Sequence, residues 1–127
     1  MQDDPAVRAA MGVLDAFMEA LNRGDEAGVN AAFNFPHIRI ASGRVAIFEK
    51  RGDYGLDTFL ARAGEGWAYS AWDERTVIQS GPDKVHLAVV FSRYTADGTR
   101  LGSFPSVWIV TRDEGHWGVQ ARSSFAV

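Results

Sequence analysis

Val7, Ala10, Met11, Leu14, Phe17, Met18 and Leu21 recur at steps of three and four near the start of the chain. One apolar stripe at that period predicts an amphipathic helix. Asp4 and Pro5 suit its cap and first position, and Gly24 suits its end. Asp25 predicts a second cap, for a short helix through Val29, Ala32 and Phe33. Pro36 closes that segment, because the residue before a proline is pushed out of the helical region. From His37 the pattern turns β-rich. His37–Ser42, a turn at Gly43 and Val45–Phe48 predict a short hairpin over 37–49. Asp53 predicts the cap of a third helix carrying Leu56, Phe59, Leu60 and Ala63, ended by Gly64 and Gly66.

The second half reads as strand after strand. Tyr69–Ser80, Lys84–Thr95, Arg100–Arg112 and His116–Phe125 are separated by Gly-Pro-Asp, Ala-Asp-Gly and Asp-Glu-Gly. Turn tripeptides at regular spacing predict an antiparallel meander. Helices grouped first and strands grouped last predict an α+β fold with helices on one sheet face.

The turns also predict a register. With Asp97-Gly98 and Glu114-Gly115 as two-residue loops, Val85, Leu87, Val89, Phe91 and Arg93 share a face with Phe104, Ser106, Trp108 and Val110. Trp117, Val119, Ala121, Ser123 and Phe125 join them, and this more apolar set is expected to face the helices. The other face takes His86, Ala88, Val90, Ser92, Tyr94, Val107, Ile109, Gln120 and Arg122. A slip of one residue would exchange the two sets.

The chain has 127 residues and 13.9 kDa, with 46% apolar and 23% charged residues, which fits a single globular domain over 1–127. With no cysteine, disulfides, thiolate chemistry and Cys-type zinc sites are excluded. A net charge of -3 and the absence of a Lys/Arg run argue against nucleic-acid binding. No apolar stretch approaches the ~20 residues of a membrane span. The acidic Met1-Gln2-Asp3-Asp4 opening does not read as a signal peptide, so a soluble cytoplasmic protein is expected. His37, His86 and His116 lack metal-ligand spacing, and no phosphate loop or nucleophile elbow is present, so no metal and no cofactor is expected.

Two segments carry a family resemblance. Met18-Glu19-Ala20-Leu21-Asn22-Arg23-Gly24-Asp25 resembles the A-L-N-x-G-D turn of the NTF2-like superfamily. Gly115-His116-Trp117-Gly118-Val119, followed by Ser123-Ser124, is similar to the G-x-W-x-I…S ending of SnoaL-like domains. The element order α-α-β-β-α-β-β-β-β fits over essentially the whole chain. The resemblance implies an NTF2-like (cystatin-like) cone: a curved antiparallel sheet wrapped around the long helix, with an apolar pocket at its open end. It also implies a homodimer through the outer sheet face, for which Val90, Tyr94, Val107, Ile109 and Gln120 are the expected residues.

Ketosteroid isomerase chemistry, known in that superfamily, has no residues here. The oxyanion tyrosine falls on Phe17, the proton-moving aspartate on Ile40 or Ala41, and the second acid near Trp108. No carboxylate pair suits the triad of a limonene epoxide hydrolase either.

The candidate catalytic residues are His37 and Glu49, as base and partner, because imidazole titrates near neutrality. The alternative is a hydrogen-bonded histidine and a surface salt bridge. The expected pocket lining is Phe17, Leu21, His37, Arg39, Arg93, Phe104, Ser106, Trp108 and Ser123. An apolar bowl with a few polar groups is the usual form of a ligand site. Its guanidinium groups favour an anionic or carbonyl-bearing small molecule, or an apolar one. Trp72 is a further pocket candidate, while Trp117 suits the core. Three functions remain open: a small-molecule pocket protein, an isomerase, cyclase or hydrolase using His37 or Glu49, and a non-catalytic association module.

Overall fold

The computed structural model describes residues 4–126. The Met1-Gln2-Asp3 opening, on which the reading of no signal peptide rests, lies outside the described residues. The elements run α1 (Pro5–Arg23), α2 (Glu26–Ala31), β1 (Phe33–Ala41), β2 (Arg44–Phe48), α3 (Leu56–Ala63), β3 (Tyr69–Gly81), β4 (Lys84–Tyr94), β5 (Arg100–Asp113) and β6 (His116–Ser124).

Asp4 caps α1, accepting from the Ala6 and Val7 amides, and Gly24 ends it at φ 69°. Only a residue without Cβ takes that left-handed conformation cheaply. Asp25 caps α2 through the Gly28 amide. Two boundaries differ from expectation. Phe33 opens β1 instead of ending α2, because it pairs with Val119 on the last strand. Asp53 does not cap α3. Its carboxylate closes the preceding turn by accepting from the Lys50 amide at 3.0 Å, and Gly55 stands at the cap.

The six strands form one sheet in the order β2-β1-β6-β5-β4-β3, antiparallel except for the β1–β6 pair. The Ser42-Gly43 and Glu114-Gly115 loops both have positive φ at both residues. That backbone matches the strand twist of tight hairpins. Bulges interrupt β3 at Asp73 and Ile78, β5 at Leu101 and β6 at Gln120. Bulges bend strands and increase twist, so the sheet curves around α1. Ala6, Ala10, Leu14, Phe17, Met18 and Leu21 of α1 pack on Val85, Leu87, Val89, Trp108, Val110 and Val119. This is the expected α+β arrangement, a curved sheet wrapped around the long first helix. Among the described residues, no helix is long and apolar enough to cross a membrane.

The β4–β5 register agrees with expectation by compensation. The loop holds one residue more than expected, with Thr95 bonded to Thr99, and the Leu101 bulge absorbs it. Phe91 thus still faces Phe104, and Val89 still faces Ser106. The β5–β6 register agrees as far as Val110–Val119. Beyond the Gln120 bulge it shifts by one, so Trp108 pairs with Arg122 and Val107 with Ser123. The expected faces of Ala121, Arg122, Ser123 and Phe125 are therefore exchanged. Arg122 is buried, and Phe125 is 81% exposed.

Candidate functional site

The segment from Ala20 to Asp25 turns the chain at the open end of the cone. Ala20 is buried close to Gly28, where a Cβ would come within 2.9 Å of its methyl. Asn22 ties α1 to the start of β3: its amide nitrogen donates to Ser70 O at 2.9 Å, and its oxygen accepts from Ser70 N at 2.8 Å. Leu21 between them points into a cavity. The motif is thus a structural corner with one residue facing inward.

The cavity lies between α1, α3 and the concave sheet face; its volume is about 30 Å³, or about 430 Å³ when the solvent-open space at its mouth is counted. Phe17, Met18 and Leu21 come from α1, Phe59 and Arg62 from α3, and Arg39 from β1. Trp72, Phe91, Arg93, Ser106, Trp108, Arg122 and Ser124 come from the other strands. Four arginines therefore meet in an apolar bowl, and no Asp or Glu is among the described residues that line it. Burial is the main cause that lowers Arg39 and Arg93 to about 10, and the Arg62 charge adds to it. Both remain cationic at neutral pH. Arg122 is also lowered, chiefly by burial.

Arg122 is buried among aromatic rings. Its guanidinium carbon lies 5.2 Å from the Phe33 ring, 5.4 Å from Trp108, 5.6 Å from Tyr54 and 5.9 Å from Phe17. Ring faces attract a cation, most strongly where water is excluded. Its Nε donates to His37 Nε2 at 3.0 Å. Its Nη2 is buried without a partner, as is the indole nitrogen of Trp108. Each unfilled buried donor costs on the order of 1–3 kcal/mol.

His37 is fully buried and stacks on Phe33 at 3.8 Å. Its Nδ1 lies 2.8 Å from Val119 O. A carbonyl can only accept, so Nδ1 carries the proton and Nε2 offers its lone pair to Arg122. Burial, then the Arg122 charge, lowers His37 to about 3, so the ring is neutral.

The expected residues divide sharply. Phe17, Leu21, Arg39, Arg93, Ser106 and Trp108 line the one cavity, with Trp72 beside them. His37 stands behind its wall. Phe104 is on the inner face, its ring 4.8 Å from the Arg93 guanidinium, but it is not part of the lining. Ser123 is a correction: the Gln120 bulge turns it to the convex face, where it is exposed, and brings Ser124 inside. Glu49 is exposed beyond β2, apart from His37, so the base-and-partner pair does not form. Arg122, Arg62, Phe59 and Ser124 also line the cavity, beyond the residues that the sequence pattern points to. No local sequence signal marks the bulge that turns Arg122 inward, and α3 placement depends on tertiary packing. Among the described residues, no three His, Asp or Glu side chains could together hold a metal ion.

A family model described as "NTF2-like protein (DUF6841)" matches residues 9–124. The chain is similar to a Nostoc punctiforme protein of unknown function with a cystatin-like fold, with TM-score 0.75 and 14% identity over 95% of this chain and 90% of that one. A ketosteroid isomerase-like protein from Erwinia carotovora atroseptica gives TM-score 0.72 and 15% identity over 98% of each chain. An NTF2-like protein with a cystatin-like fold from Novosphingobium aromaticivorans gives 0.71 and 14% over 96% of this chain and 82% of that one. At these identities the likeness is one of fold. No curated protein matches the sequence.

Proposed function

The chain belongs to the NTF2-like family DUF6841, and on that footing we propose that it binds a small organic anion with an apolar body inside its cone. The observation that carries this reading is a cavity with four arginines and no carboxylate among its described lining residues. Buried guanidinium groups are costly unless paired, and an anion entering such a bowl supplies a shared counter-charge. The rings of Phe17, Trp72 and Trp108 suit the apolar part of the ligand.

A thermal-unfolding panel tests the reading. Phenylacetate and hexanoate should raise the melting temperature progressively with concentration, while phenylacetamide and hexanamide should not. Equal effects of acid and amide, or none from either, would overturn it.

Catalysis by His37 finds no support in the geometry. Both ring nitrogens are engaged and the ring is sealed from the cavity. Phe17 supplies no hydroxyl, and the loss of one oxyanion donor alone typically costs ~10²–10³ in rate. Turnover of a Δ5-3-ketosteroid should therefore be absent.

An association role has one observation in its favour. On the convex face the register aligns two ranks across five strands: Ile47, Ile38, Ala121, Ile109 and His86, then Val45, Ile40, Ser123, Val107 and Ala88. Neither rank contains an Asp, Glu, Lys or Arg. Ile40, Val45, Ile47 and Val107 are 42–65% exposed, and an open apolar sheet of this kind suits a two-fold contact with a second copy. Two of the expected contact residues fit it poorly. Tyr94 stacks on Tyr69 at 5.0 Å, and the Gln120 amide is held by Pro36 O and Thr111.

A further inference from the structure

We propose that the ligand is a monocarboxylate with a flat apolar group, and that its carboxylate is seated between Arg122 Nη2 and the Trp108 indole N–H. The inference rests on the anion-binding reading of the same cavity and adds to it the acid's class and its seat. Trp108 and Arg122 are register partners on adjacent strands, so their side chains stand side by side on the concave face. Both line the cavity, and Arg122 is 7% and Trp108 2% exposed. Each keeps one buried donor without a partner.

The other polar groups beside them are engaged. Arg122 Nε is occupied by His37, Arg39 donates to Ala126 O at 3.3 Å, Arg62 to the Tyr54 hydroxyl at 2.9 Å, and Ser106 to Ser124 at 2.6 Å. Two open donors, one of them cationic, match the two oxygens and single charge of a carboxylate. A phosphate monoester brings three acceptor oxygens and up to two charges, more than this seat fills. The Phe17 and Trp72 rings each pack edge-to-face on Trp108 at 5.1 Å, so the wall beside the seat is aromatic and suits a planar apolar group.

Two-dimensional ¹H–¹⁵N NMR of the whole chain tests this. The four tryptophans give four indole N–H signals. Trp67→Phe, Trp72→Phe and Trp117→Phe assign three of them and leave Trp108 by elimination. Titration with phenylacetate should move the Trp108 signal downfield, and phenylacetamide should not. Trp108→Phe and Arg122→Lys should each weaken phenylacetate binding about tenfold or more. If either variant fails to fold, the wild-type titration alone decides. Phenylacetate that binds with the Trp108 signal unmoved would overturn the seat while leaving the anion reading intact. Inorganic phosphate that binds where carboxylates do not would overturn the carboxylate class. If neither binds at millimolar concentration, both the seat and the anion reading fall.

Discussion

His37 and Arg122 show how one buried pair sets the character of the cavity wall. His37 is neutral when folded, held to about 3 chiefly by burial, against an ordinary value of 6.5. Between those values the unfolded chain binds a proton that the folded chain does not. Stability should therefore fall as pH drops below about 6.5, by up to ~1.4 kcal/mol per pH unit. Urea unfolding between pH 6.5 and 4.5 isolates this effect. The carboxylates of Asp25 and Asp97, also lowered, are lost only in more acid solution. His37→Gln should flatten the slope in that window, and an unchanged slope would contradict the assignment. Asn22→Ala removes both bonds to Ser70 and should cost about 1–2 kcal/mol in denaturant unfolding. Gly118→Ala should cost about 2 kcal/mol or more, because a Cβ there would meet Phe33 C at 2.6 Å and Asn34 N at 2.7 Å. The corner residues were legible in the sequence, since capping and turn chemistry are local. His37 was visible as polar, but its partner was not. That pairing is decided by residues 85 positions apart in the chain.

At the scale of elements, the strand faces were legible only where bulges cancelled or were absent. The added residue in the loop before β5 and the Leu101 bulge offset each other, so Arg93, Ser106 and Trp108 face inward as alternation predicts. The Gln120 bulge has no compensating partner, and everything beyond it is reversed. Alternation alone would expose Arg122 and bury Phe125. The α3 helix is less firmly packed than α1. It has eight residues, buries only Phe59 fully and leaves Leu60 51% exposed. Short helices depend on packing for their stability. Amide hydrogen exchange should therefore be faster in α3 than in α1. A bound carboxylate should slow it, because Phe59 and Arg62 border the cavity. Protection of α3 equal to that of α1 without ligand would contradict this picture.

On the scale of the whole molecule, charge is segregated. The chain carries a net charge of -3, yet its cavity gathers four arginines. That contrast is invisible in composition, because Arg39, Arg62, Arg93 and Arg122 come from four different elements and meet only on folding. The convex face carries the opposite property, an open apolar surface. Light scattering at micromolar concentration should report a dimer, and Val107→Glu should shift it to monomer; a monomeric wild type would remove the association face.

Isothermal titration with a matched pair of ligands tests the central claim most directly. Phenylacetate and phenylacetamide share shape and apolar area and differ in charge. Binding of the acid at one site per chain, with the amide at least tenfold weaker, is the expected result. Equal affinity for the two, or no heat from either at millimolar concentration, would contradict a cavity built to hold an anion.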